Sequence, residues 1–251
     1  MKKKVLVVGE FGIDSFVYGK IERLNPEAPT PILTPIETRE NWGMAGNAFR
    51  NLQSINKFDV HFLGNEVPAK KVRYVDEKSN YILMRVDWND EIERIKNIDE
   101  DFISSFDAVV ISDYNKGFLE PEDISVIARS AKLSFMDTKK AIDNWALGIN
   151  FIKINEKESK NPKHNLCTIG SLEESLIVTL GGNGAKYNGK HYPTKPANVV
   201  DVVGAGDTFM SAFVTYILSD KTVDQAINFA NKCSSEAVKR RGVTLLGDII
   251  N

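Results

Sequence analysis

Val199-Val200-Asp201-Val202-Val203-Gly204-Ala205-Gly206-Asp207-Thr208-Phe209 runs from β-branched residues through two glycines into Asp-Thr. A long apolar stretch follows, with Phe209, Met210, Ala212, Phe213, Val214, Tyr216, Ile217 and Leu218. The pattern predicts a strand or extended loop, a tight glycine turn, and a buried helix starting near Asp207 or Thr208. The first N–H groups of a helix lack partners in their own helix, and its dipole attracts negative charge there. Glycines let a backbone approach a ligand closely, so such a turn suits an anion. An aspartate in that mouth would repel a phosphate, unless it accepts a proton from a group attacking that phosphate. A turn with an Asp N-cap explains Gly-x-Gly-Asp alone equally well. A dinucleotide fingerprint is excluded, because Phe209 stands where a third small residue belongs.

The 251-residue chain is long enough for a real core, in one sizeable domain or two small ones. Hydrophobic residues at 42% and charged residues at 26% are ordinary for a globular protein. A net charge of −2 gives no argument for a nucleic-acid or membrane surface. Lys2-Lys3-Lys4 followed by Val5-Leu6-Val7-Val8 mimics a signal peptide, but the apolar run ends too early, at Gly9. Cys167, Cys233, His61, His164 and His191 show no metal-ligand spacing, and both cysteines read as free thiols in a reducing cytoplasm.

Lys4 to Gly9 reads as a buried strand, and Asp14 follows beyond its carboxyl end, where α/β sheets bind ligands. Pro26, Pro29, Pro31 and Pro35 break any helix in residues 15–40, which read as a small β excursion. Asn41-Trp42-Gly43-Met44-Ala45-Gly46-Asn47 opens a helix, with Asn47 expected to face the Gly204 turn; small residues at a helix start explain it as well. Asp59 to Leu63 is a strand. Lys71–Tyr74 and Tyr81–Val86 form a hairpin that completes the small sheet. Arg85 and Asp87 share one strand face, either lining a site or in solvent.

From about residue 98 strands alternate with helices. Ala108–Ile111, Leu133–Met136, Phe151–Ile154 and Leu176–Leu180 each end in polar or glycine-rich residues. That alternation implies a mostly parallel sheet whose carboxyl ends share one edge with Asp14 and Gly204. Gly184–His191 nearly fits a P-loop, but His191 replaces the metal-binding hydroxyl and Asn188-Gly189 reads as a hairpin turn. The last helix spans about Val223 to Lys239, with Thr222 and Gln225 as a capping box.

Gly204-Ala205-Gly206-Asp207 and the Gly43–Asn47 stretch resemble the two signatures of the ribokinase-like (PfkB) carbohydrate kinases. A closer resemblance is to the kinase domain of bacterial heptose-7-phosphate kinases. It rests on Val7-Val8-Gly9 through Asp14, Tyr18-Gly19, Asn25–Pro31, Ile111–Gly117, Asn155 with Glu158, Pro193-Thr194, and Asp201–Thr208. It implies an α/β fold, a three-layer α/β/α sandwich with a mostly parallel central sheet and a small β lid from about 12–40 and 70–88. The chain would then be a single kinase domain over 1–251, without the nucleotidyltransferase domain that often follows in bifunctional relatives. The implied activity is transfer of phosphoryl from ATP to the anomeric hydroxyl of a heptose 7-phosphate. Another sugar, a nucleoside, or an idle sugar- or nucleotide-binding role are the alternatives.

By the same resemblance Asp207 is the general base, and Gly204, Ala205 and Gly206 together with Asp207 supply the backbone N–H groups of the anion hole. Asp14, Gly43 and Asn47 contact the sugar, with Arg85 and Lys116 as candidates for its phosphate. Lys139, Asn155, Thr179, Gly181, Gly184 and Asn231 lie along the nucleotide. Glu158 and Asn155 organise Mg²⁺ through water. A homodimer through the β lid and a cytoplasmic location are expected. Departures from the family are Met44 in the sugar loop, where a second glycine is usual and a reshaped pocket is expected, and short segments at 65–70 and 159–175.

Overall fold

Successive side chains of a strand point to opposite faces. In β1 (Lys4–Gly9), Val5 and Val7 enter one core cluster and Leu6 and Val8 the other, so this strand is covered on both sides. The computed structural model describes residues 1–250, without the side chains of Leu166, Cys167 and Ile169. In chain order there follow β2 (Phe11–Leu24), β3 (Pro31–Met44), α1 (Ala45–Ser54), β4 (Asp59–Leu63), β5 (Ala69–Asp76) and β6 (Ile82–Trp88). Next come α2 (Glu100–Ser104), β7 (Ala108–Asp113), α3 (Pro121–Ser130), β8 (Ser134–Thr138), β9 (Phe151–Asn155), α4 (Glu156–Ser159), α5 (Leu166–Ser171) and β10 (Leu176–Thr179). The chain ends with β11 (Ala185–Tyr187), β12 (Lys190–Tyr192), α6 (Ala205–Ile217), α7 (Val223–Ala237) and α8 (Gly247–Ile250).

The main sheet has the order β12-β11-β10-β9-β8-β7-β1-β4, parallel from β10 through β4. Only β11 runs against the rest of this sheet, pairing antiparallel with both β10 and β12. One face packs α1, α6 and α7 through Leu52, Phe213, Ile227 and Ala230, all fully buried. The other packs α2 and α3 through Ile103, Ile124 and Ile127. A second sheet, ordered β3-β2-β5-β6, leaves the body one residue after β1 and returns directly into α1. Its edge strand β3 carries Pro31 and Pro35, which an edge tolerates because a missing N–H costs no ladder bond there.

The rejected P-loop is the β11–β12 hairpin. Asn188 and Gly189 both have positive φ, at 44° and 68°, as a tight primed turn requires. The β-branched run before Gly204 is an extended loop in which Val199, Val200, Val202 and Val203 are exposed. The helix behind it begins at Ala205, earlier than the expected Asp207 or Thr208, because Gly204 takes φ 76° and ends the loop. Asp207 therefore lies inside the first turn. Met44 has φ 56° and ψ −137°, a strained region for a side chain, and is buried against Leu6, Val8 and Ala69. Its side chain enters the core, which corrects the expectation that it reshapes a sugar pocket. Cys233 is a free, buried thiol whose pKa burial pushes up to about 12; the Cys167 side chain lies outside the described residues. No helix among the described residues is long and apolar enough to cross a membrane.

Candidate active site

The carboxyl ends of β1, β7, β8, β9 and β10 meet the first turns of α1 and α6, as expected where ligands bind in parallel sheets. Asp207 is buried at this meeting point, 6% exposed. Its Oδ2 accepts the Asn47 amide at 2.6 Å, and its Oδ1 accepts the Tyr114 hydroxyl at 3.2 Å. The Asn47 orientation is fixed from behind. Leu246 N–H donates to Asn51 Oδ1 (2.8 Å), and Asn51 Nδ2 donates to Asn47 Oδ1 (3.0 Å), so the Asn47 amide nitrogen must face Asp207. Burial, then the nearby Asp137 charge, raise the Asp207 pKa to about 6, against the lowering effects of Asn47, Lys153 and Tyr114. Such a carboxylate is ionised at neutral pH and still basic enough to take a proton.

The first helical bond of α6 is Thr208 N–H to Gly204 C=O (2.9 Å), and Ala205 N–H donates to Val202 C=O (3.3 Å). Of the expected Gly204, Ala205, Gly206 and Asp207 set, Ala205 N–H is thus committed to the turn, and the Gly206 and Asp207 N–H groups lie free of intrahelical bonds at the helix mouth. A Cβ on Gly206 would lie 2.9 Å from Lys153 Nζ. The glycine is what lets this buried lysine (3% exposed) sit under the turn. Lys153 pairs with Asp137 Oδ2, while Asp137 Oδ1 is buried without a hydrogen bond. Lys139 bonds Glu158 Oε1 at 2.5 Å. Burial works against its charge, but Asp137 and Glu158 outweigh that and hold its pKa above the ordinary value.

A cavity of about 720 Å³ opens from Asp207. Lys139, Asn155, Thr179, Gly181, Gly184, Gly204, Ala205, Gly206 and Asn231 all line it, so the structure brings together the residues expected along a nucleotide. Asn155 and Glu158 form a reciprocal capping box on α4, with bonds of 2.9 and 2.8 Å. The Asn155 side-chain oxygen is committed to that cap, so Asn155 serves by holding Glu158. Among the described residues, no three acidic, histidine or cysteine side chains group as a metal cage. Asp137 lines the cavity, and its Oδ1, 3.6 Å from Lys139 Nζ, accepts no hydrogen bond; with Glu158, which Lys139 also binds, it suits a magnesium ion held through its waters.

Asp14 lies on β2 with its Oδ2 against Gly43; a Cβ there would be 2.6 Å away. Its other oxygen accepts from Arg73 at 2.6 Å. Strand register lines Asn41, Asp14, Lys71 and Asp87 across one face of the small sheet, and Arg39, Phe16, Arg73 and Arg85 in the next row. Arg85 pairs with Asp87 (2.8 Å) and Lys116 with Asp90, whose pKa is lowered by that hydrogen bond and by the charges of Lys71 and Arg85. Arg85 and Lys116 are therefore on the small-sheet side, away from the large cavity. Arg73, Tyr114, Asp137 and Lys153 were not expected from sequence. Lys153 alternates with Ile152 and Ile154 in a buried strand, and that misplaced charge was the available signal.

Comparison with known proteins bears on these features. Residues 54–248 match the family described as pfkB family carbohydrate kinase. The bifunctional protein HldE of Bradyrhizobium diazoefficiens is 29% identical across 97% of this chain, and that of Helicobacter pylori is 29% identical across 97%. The chain spans under two thirds of these relatives, 61% and 64% of their lengths. Among solved structures, phosphofructokinase-2 of Escherichia coli in complex with potassium has a TM-score of 0.74 at 14% identity, covering 99% of this chain and 97% of that one. Ribokinase of Arabidopsis thaliana complexed with ribose and ATP has a TM-score of 0.68 at 17% identity, covering 97% and 95%. These likenesses show the same α/β fold.

Proposed function

Since the chain belongs to the pfkB family of carbohydrate kinases, we propose that it moves the γ-phosphoryl group of ATP to the anomeric hydroxyl of a heptose 7-phosphate, with Asp207 as general base. The observation that carries this reading is the Asp207 carboxylate. It is buried, oriented by Asn47, set beside the open N–H groups of α6, and has a pKa of about 6. The acceptor hydroxyl gives its proton to Asp207 as its oxygen attacks the phosphorus. The Gly206 and Asp207 N–H groups and the Lys153 ammonium face the charge that builds on the transferring group. Asp137 and Glu158 would hold magnesium, which when bound offsets phosphate charge.

A phosphorylated acceptor is supported by the cations Lys71, Arg73, Arg85 and Lys116 on the side where Asp14 and Gly43 lie. The heptose assignment is supported by the sequence resemblance and by the HldE relatives. The small sheet acts as a lid over the acceptor and excludes water. Ile82, Met84 and Trp88, exposed on its β6 edge strand, suit pairing of two lids in a cytoplasmic homodimer. Asp207→Asn should lower kcat by about 10²–10⁴-fold with ATP binding unchanged, since a base is lost and no nucleotide contact. Full activity in that variant contradicts the assignment.

A further inference from the structure

Glu10 is fully buried between β1 and β2, and the reaction described above has no use for it. Its two oxygens accept the N–H groups of Tyr114 (2.8 Å) and Lys116 (2.9 Å). Between them Asn115, at φ 56°, donates its N–H to Asp113 Oδ1 (3.1 Å). Three consecutive N–H groups after β7 are thus tied to buried carboxylates. This loop has one backbone path, and the path aims the Tyr114 hydroxyl at Asp207 Oδ1.

We infer that Tyr114 is a positioning residue for Asp207: its hydroxyl holds the carboxylate at Oδ1 and favours the ionised form, and Glu10 fixes the loop that carries it. This rests on the reading of Asp207 as the base. At 3.2 Å the bond is longer than a strong hydroxyl–carboxylate bond, and a carboxylate oxygen can accept twice. Oδ1 is therefore oriented without being blocked to an incoming sugar hydroxyl, whereas Oδ2 is taken by Asn47 at 2.6 Å. The groups facing Asp207 come from every packed element. Asn47 on α1, Tyr114 after β7 and Lys153 on β9 favour its charge, as does Lys139 after β8, while Asp137 on β8 opposes it. Removing the phenol subtracts one favourable group and leaves the rest in place.

The test is carbon-13 NMR titration of the aspartate carboxyls in the substrate-free enzyme, wild type against Tyr114→Phe, with the pH profile of kcat/KM beside it. The Asp207 midpoint should rise by about half to one pH unit, and the acid limb of kcat/KM should rise with it. An unmoved midpoint overturns the inference, whatever happens to activity. A raised midpoint with an unmoved acid limb upholds the bond and tells against Asp207 as the base, so the two failures are separable. Glu10→Gln retains the phenol but replaces one accepting oxygen with an amide donor. It should raise the same midpoint by less than Tyr114→Phe, and an unchanged midpoint there removes Glu10 from the account.

Discussion

The Asn47 amide donates to Asp207 Oδ2 at 2.6 Å, joining the first turns of α1 and α6 across 160 residues of sequence. Asn51 holds Asn47 in turn, and Asn51 is itself held by the Leu246 N–H. A carboxylate supported in this way sits in a fixed place but is poorly solvated, and its chemistry and its cost both follow from that.

Asp207→Asn should stabilise the protein at neutral pH. The native carboxyl titrates at about 6 against an ordinary 3.8, so between those values the folded state binds more protons than the unfolded state. Stability from this group then falls as pH rises through that window. The neutral amide escapes the penalty, a gain of at most about 3 kcal/mol at pH 7.5 that vanishes near pH 4. Thermal melts at the two pH values check this; a variant less stable at pH 7.5 contradicts it.

Activity should follow the same group. Only ionised Asp207 accepts the hydroxyl proton, so kcat/KM should fall tenfold per pH unit below about 6 and level off above it. A rate profile with Asp207 as the sole acidic limb is the expected record.

Lys153→Met should leave the buried Asp137 charge with only the more distant Lys139 ammonium (3.6 Å) and cost about 3 kcal/mol, read by urea unfolding. Lys153→Met with Asp137→Leu should recover most of that stability and none of the turnover.

Gly204→Ala places a side chain at φ 76°, with its Cβ 3.0 Å from the Asn47 amide nitrogen. The left-handed backbone alone costs about 1–2 kcal/mol. Displacement of Asn47 should lower kcat as well, and a fully active variant would show that the Asn47–Asp207 bond is dispensable.

Arg73→Met frees Asp14 from its partner and should raise the acceptor KM at least about tenfold, with the KM for ATP unchanged. Arg85→Met should reduce discrimination between phosphorylated and free sugar.

Periodicity revealed most of the fold because each parallel strand is a short apolar run closed by polar residues, and buried strands need that pattern. Gly204–Asp207, Asp14 and Asn47 were legible because they carry local signatures. The helix start was misjudged because Asp is a common N-cap, whereas here glycine in a left-handed conformation precedes Ala205. Asn155-x-x-Glu158 is also a capping-box pattern, and the sequence offered that second meaning without deciding between them. Arg73 and Tyr114 carried no local signal, and Lys153 showed only as a charge in an apolar strand, because their roles arise from partners 59, 93 and 16 residues away. Strand register and loop geometry make those pairs, and neither can be read from local spacing.

The most direct measurement is ADP release with ATP and magnesium across sugar 7-phosphates, sugar 6-phosphates and free sugars. The account predicts turnover with a heptose 7-phosphate, abolished in Asp207→Asn and weak with the unphosphorylated heptose. Bound ATP with no turnover on any of these acceptors would contradict it.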